Sequence, residues 1–286
     1  MQFVVICAPR TGSSHLMSSL GLHPEIFANG NILDARRQKL YVFWPKCDVT
    51  PTIKSELTDL RTKDPSAFVA RIFAANYGKS HVGFKIFRGE NDAVLGNLIA
   101  DKAVRKVILY RRNVLANFSS ALIAKETGQY GLRDGAAKVA DSGVKFNSDH
   151  FIRFHDRYVG FFGRILSDLS STGQVYHFIN YEDVNNPHAI ANLVAFLGAD
   201  PSRKFAAESD DRQHQKQNSS DILSRFSNPS SARRFLRENG LLHWMHEGGF
   251  YLGPITPITE ALETKKARRT VLTRGGKDES GHTDGA

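Results

Sequence analysis

Cysteine is nearly missing from this chain: among 286 residues only Cys7 and Cys47 carry a thiol. Two thiols forty residues apart supply neither a zinc-binding spacing nor a disulfide framework, which fits a reducing compartment. Long apolar runs are missing too. No stretch approaches the roughly 18 consecutive apolar residues of a membrane span, so no transmembrane segment is expected. There is also no charged leader or small-residue cleavage site before the apolar run that starts at Phe3, and the expected location is cytoplasmic. Internal repeats of solenoid period do not occur. Acidic residues are outnumbered, 38 Lys and Arg against 29 Asp and Glu, and the resulting charge of +9 suggests an anionic partner. The basic residues are spread along the chain and no DNA- or RNA-reading motif accompanies them, so nucleic acid is not the expected partner.

What is present is enough apolar material, 41% of residues, to bury a full core. A single domain over residues 1–255 is expected. Residues 256–286 form a tail, basic from about Thr264 and poor in apolar residues, which is expected to be disordered.

The stretch from Phe3 to Leu20, FVVICAPRTGSSHLMSSL, organises the rest. Phe3 to Cys7 is a β-rich apolar run, and Leu16, Met17 and Leu20 recur at helical spacing. Between strand and helix lie Arg10, Thr11, Gly12, Ser13, Ser14 and His15. Gly12 permits close backbone approach, Ser13 and Ser14 can cap the helix or donate hydroxyls, and first-turn N–H groups favour an anion. Arg10 adds a permanent charge. A phosphate or sulfate ester is the natural guest.

Further along, Glu25 to Asp34 reads as a short extended segment with an Asn29-Gly30 turn, and 35–64 as irregular with a short helix near Ile53 to Leu60. Asp64-Pro65 starts a helix running toward Tyr77. His81 to Phe87 is a strand, Asn91 to Ala100 a helix, and Lys106 to Tyr110 a second buried strand passing through Arg111-Arg112-Asn113 into a helix from Val114 to about Lys125. Gly128 to Val144 reads as a loop. A long helix from Ser148 to Ser171 carries aromatics on one broad face. Val175 to Ile179 is a buried strand, His188 to Leu197 a helix, and shorter helices are expected at Asp221 to Phe226 and Ser230 to Glu238, with Leu241 to Tyr251 closing the compact part. The repeated order of strand, loop and helix predicts an α/β, P-loop-like fold of three layers, a central mostly parallel sheet flanked by helices, with ligands beyond the carboxyl ends of the strands.

The loop is not that of a nucleoside triphosphatase. Ala8 stands at the first glycine position of the Walker pattern, and Ser13 stands where the lysine belongs. Strands KVILY and VYHFI end without the metal-holding aspartate, so magnesium chemistry and a resident metal are not expected. A second anion site can be read at Arg112, at the end of its strand, with Ser120 in the following helix. By itself that spacing is common among solvated side chains.

Two segments change its weight. PRTGSSHL after FVVICA, and YRRNVLANFSS after KVIL, resemble the two cofactor signatures of the sulfotransferases that use 3′-phosphoadenosine 5′-phosphosulfate (PAPS). HPEIFANGNIL, DPSAFVARIF, VGFKIF, INYEDV, VAFLGAD and KQNSSDILSRFSN are similar to successive blocks of the bacterial branch that includes the Nod-factor and trehalose sulfotransferases. The resemblance covers most of residues 3–240. It implies that the Arg10 to His15 loop holds the 5′-phosphosulfate, that Arg112 and Ser120 hold the 3′-phosphate, and that adenosine 3′,5′-bisphosphate is the product. It also implies a small-molecule carbohydrate or glycolipid acceptor. Asn31 stands where that branch carries a glutamate after the NG turn, and an amide takes no proton at neutral pH. Asp34 is therefore the nominated catalytic base beside Arg10, with His15 and Glu90 as alternatives. A non-catalytic nucleotide-binding module of the same fold is the competing expectation.

Overall fold

The computed structural model describes residues 1–34, 51–131, 137, 143–206 and 218–248, with side chains of the helix that opens the second segment described from residue 55. Expectations for 35–50, for most of 132–142 and for the tail lie outside the described residues.

Five strands form one sheet in the order β2-β3-β1-β4-β5, where β1 is Gln2–Cys7, β2 Ile26–Asn31, β3 His81–Phe87, β4 Val104–Tyr110 and β5 Tyr176–Asn180. Every pairing is parallel, so each strand ends at the same edge. The central position of β1 follows from its composition. Val4 and Ile6 face one layer while Phe3, Val5 and Cys7 face the other, and all are fully buried, as a strand covered on both faces requires.

The helices are α1 (Ser13–Gly21), α2 (Pro51–Lys63), α3 (Pro65–Ala74), α4 (Asp92–Ala100), α5 (Val114–Thr127), α6 (Ser148–Ser171), α7 (Pro187–Leu197) and α8 (Pro229–Asn239). Leu16, Met17 and Leu20 of α1 join Leu193, Val194 and Leu197 of α7 on one face of the sheet. Helices α3, α4, α5, α6 and α8 cover the other, through residues such as Phe68, Leu95, Phe118, Phe162 and Leu236. The three-layer α/β expectation is met, with the sheet wholly parallel. Side-chain caps set the helix starts: Asp64, Asn91, Asn113 and Asn147 each accept a backbone N–H three residues on, an arrangement that contributes about 1 kcal/mol per helix.

Several expected elements differ. The Asn29-Gly30 pair makes a register irregularity inside β2, between Ala28 and Asn31, because β3 holds the chain on either side of it. Helix α3 stops at Ala74, and Tyr77 turns left-handed at φ 49° with its side chain exposed. Helix α2 extends over more residues than expected, from Pro51 to Lys63. Strand β5 starts one residue later, since Val175 is 77% exposed, and as an edge strand it leaves Phe178 partly open to solvent. The helix expected at Asp221 to Phe226 is only a 3₁₀ turn, Leu223–Arg225. There the Ile222 N–H bonds to the Met245 carbonyl and Asp221 pairs with His246, so the backbone donors are taken by a distant segment.

Gly83 has no room for a side chain: a Cβ there would lie 2.5 Å from ring atoms of Phe3, its neighbour across β1 and β3. Gly83→Ala is expected to cost about 1–3 kcal/mol by overpacking. Urea denaturation should show that loss, and Phe3→Leu in the same chain should recover part of it; an unchanged midpoint in Gly83→Ala would contradict the packing.

Candidate active site

In a parallel sheet, a ligand crevice opens where neighbouring strands continue in opposite directions from the centre. Here that point is the end of β1, between β3 and β4. The loop after β1 is tightly held. Thr11 Oγ1 donates to the Ala8 carbonyl at 2.7 Å, and Asn117 of α5 donates to the Pro9 carbonyl at 3.0 Å. Arg10 adopts a left-handed backbone, φ 67°, which costs a non-glycine residue roughly 1 kcal/mol or more. The strained carbonyl is gripped by Arg111 Nη1 at 2.8 Å.

Gly12, at φ 77°, is the residue before α1, and no side chain caps that helix. A Cβ at Gly12 would stand 2.9 Å from the Tyr181 ring, so glycine is required by both conformation and space. Ser13 and Ser14, read as helix caps or hydroxyl donors, do not cap the helix, and their hydroxyls face a cation. Lys85 Nζ from β3 donates to Ser14 Oγ at 2.7 Å and to Ser13 Oγ at 3.3 Å, from a position only 3% exposed. Thr11 is buried in the loop and His15 lies half-buried in the first turn of α1.

The second loop, after β4, meets the first. Arg10 Nε donates to Ser120 Oγ at 2.9 Å, and Asn218 Nδ2 donates to the same hydroxyl at 3.0 Å. Arg10 also bonds to the Tyr130 carbonyl. Burial, followed by the nearby positive charge of Arg111, lowers the Arg10 guanidinium to about 10, still charged at neutral pH. Arg112 turns to another partner, with Nε on Asn180 Oδ1 at 2.9 Å, and its terminal nitrogens have no partner among the described residues. Thus Arg10 and Ser120 come together, whereas Arg112 and Ser120 are not directly bonded.

Beneath both loops lies an ion cluster that sequence reasoning missed. Glu247 accepts from Arg111 and, at 2.7 Å, from Arg225, all three buried. Arg111 also lies over the Tyr181 ring, 4.1 Å from its centroid. Arg225 further bonds to Ser119 of α5 at 3.2 Å. Lys85 had a signal that could have revealed it, a lone charge near the end of an otherwise apolar strand. Glu247 had none, being more than 130 residues from Arg111 in sequence.

A third group sits at the end of β2. Asn31, 7% exposed, donates from Nδ2 to Glu90 Oε1, and the Phe87 N–H donates to Glu90 Oε2 at 2.9 Å. Asn31 is the register partner of Lys85, which places this group beside the first loop. Asp34 is buried near Glu90, and its backbone carbonyl accepts from Arg61 Nη1 at 3.3 Å. Burial lowers the Arg61 pKa, and attraction to Asp34 partly offsets that. Glu90 is shifted upward, chiefly by burial and further by the Asp34 charge, against the opposing pull of its two hydrogen bonds and of Lys85.

At the switch point of a parallel sheet, two basic loops lie side by side, an arrangement able to hold an anionic ligand. No protein-family model matches the chain. Nodulation protein H of Rhizobium tropici is 28% identical over 209 residues, 71% of this chain and 78% of that one. Among solved structures, a sulfotransferase from Alicyclobacillus acidocaldarius aligns over 85% of this chain and 94% of that one, with 17% identity and a TM-score of 0.44. The sulfotransferase domain of the Synechococcus PCC 7002 olefin synthase aligns over 93% and 94%, with 15% identity and a TM-score of 0.47. Over most of its length, then, the chain is similar to Nodulation protein H.

The raised Glu90 pKa has a consequence for stability. A carboxyl that the fold disfavours in its charged form costs nothing below its unfolded pKa, and costs progressively more as pH rises through the folded one. The stability of the wild type relative to Glu90→Gln should therefore fall as pH rises from about 4 to 7. Paired urea titrations at each pH measure it; a flat or rising difference would show that Glu90 is not destabilised in the fold.

Proposed function

We propose that the protein transfers a sulfuryl group from PAPS to a hydroxyl of a carbohydrate or glycolipid acceptor. The observation that carries this reading is the Arg10–Ser120 hydrogen bond. It makes the two anion loops neighbours, as a nucleotide phosphorylated at both 5′ and 3′ positions requires. The donor set fits such a molecule. Gly12 leaves the backbone open, the first-turn N–H groups of α1 have no intrahelical partners, and the terminal nitrogens of Arg112 offer a fork for a phosphate.

PAPS would supply an activated sulfuryl group whose transfer has a loose, in-line transition state, in which positioning and charge stabilisation carry most of the catalysis. Arg10, Lys85 and the hydroxyls of Ser13 and Ser14 would bind the phosphosulfate end and stabilise charge growing on the oxygen between sulfur and phosphorus. Lys85 is added to the residues read from the sequence because its bonds to both serines put a cation on the same feature. Ser120 and Arg112 would hold the 3′-phosphate. These charges are fixed before any ligand arrives, so little reorganisation is needed at the moment of reaction.

Arg10→Ala should lower transfer of labelled sulfate from PAPS by about a hundredfold or more, the loss of roughly 3 kcal/mol of transition-state stabilisation, with unchanged circular dichroism. Arg112→Ala should mainly weaken binding of adenosine 3′,5′-bisphosphate, measured by calorimetry. Full activity in both variants would refute the assignment.

A further inference from the structure

We propose that Glu90 is the general base of this enzyme and that Asn31 seats a neighbouring hydroxyl of the acceptor, so that the pair recognises a vicinal diol of a sugar. The inference rests on the sulfuryl-transfer reading and assigns the catalytic half of that site.

Three observations converge on it. Asn31 is fixed through Nδ2 to Glu90, which leaves Oδ1 as its free end, and that oxygen is buried without a hydrogen-bond partner. A buried amide oxygen lacking a donor is costly, and a bound hydroxyl would supply one. Glu90 is only partly buried, at the carboxyl edge of the sheet, beside the β2–β3 register pair of Asn31 and Lys85. Lys85 in turn reaches the hydroxyls of the first loop. A carboxylate and an amide oxygen held side by side match two adjacent sugar hydroxyls, one donating to each. Asp34 is less suited to the role, because it is only 6% exposed and lies beside the Arg61 guanidinium.

In the step, the acceptor O–H bond breaks and its proton passes to Glu90. The acceptor oxygen forms a bond to sulfur, the bond from sulfur to the 5′-phosphate oxygen breaks, and the electron pair leaves with adenosine 3′,5′-bisphosphate. Glu90 then returns the proton to solvent. The charged groups facing Glu90 are Lys85 from β3 and Asp34 beyond β2, with Arg61 of α2 behind Asp34.

The test uses the full chain, labelled PAPS and three probe acceptors: trehalose, chitotetraose and 4-nitrophenol, the last of which ionises near neutral pH without help. Glu90→Gln is expected to lose about a hundredfold or more in kcat on a sugar, within the usual range for a general base. It should keep its affinity for adenosine 3′,5′-bisphosphate within about twofold by calorimetry, and lose much less on 4-nitrophenol. The acid limb of the wild-type pH profile should vanish in this variant, Asp34→Asn should keep most of its rate, and Asn31→Ala should raise the sugar KM more than it lowers kcat. Retained sugar activity in Glu90→Gln, an equal loss on all acceptors, or the large loss appearing in Asp34→Asn would overturn the proposal. A wild type that binds the bisphosphate yet labels none of the probes overturns the diol assignment alone; one that does not bind it overturns the donor reading as well.

Discussion

The active site depends on a carboxylate shared by two buried arginines. Glu247 joins Arg111, at the end of β4, to Arg225, whose guanidinium reaches α5 through Ser119. Removing one partner from such a buried pairing typically costs 3–5 kcal/mol, because the remaining charge is left uncompensated. The consequence extends beyond stability. Arg111 holds the carbonyl of Arg10, and Arg10 is the residue of the first loop in a left-handed backbone conformation. The last described segment of the chain is thus tied to the first loop through two side chains, Glu247 and Arg111.

The same segment is pinned in other ways. Asn113 caps α5 with its oxygen while its amide nitrogen donates to the carbonyls of Trp244 and His246. Ile222 takes the Met245 carbonyl, and Trp244 packs edge-on to Phe151 of α6. Residues 218–248 therefore act as a brace across the ends of β4, α5 and α6. Asn218 brings that brace into the site itself, on the hydroxyl of Ser120.

How much of this was legible follows from the range of each interaction. Strands buried on both faces are apolar runs, and α6 was readable from Ser148 to Ser171 because its cap and aromatic spacing are local. The parallel α/β architecture was readable for the same reason. Strand order was not, since nothing in β3 states that it lies between β1 and β2. That order is what makes Lys85 a neighbour of a loop some 70 residues earlier. Proximity along the chain favours Asp34, three residues from Asn31, as the base, with Glu90 among the alternatives. The structure moves across the sheet from Asn31 and reaches Glu90.

Charge explains why this edge of the sheet should take an anion at all. Arg10, Lys85, Arg111, Arg112 and Arg225 converge from four segments. At Arg10, burial, then Arg111 and Arg225, bring the pKa down to about 10. Glu247 offsets part of this charge by pairing with Arg111 and Arg225. A doubly phosphorylated ligand bound there would relieve like-charge repulsion as well as gain hydrogen bonds. Glu90 lies at the margin of the same field, with one cation and one carboxylate among its charged neighbours. A base placed closer to the arginines would be held as a stable anion with little affinity for a proton; at the end of β2 it keeps that affinity.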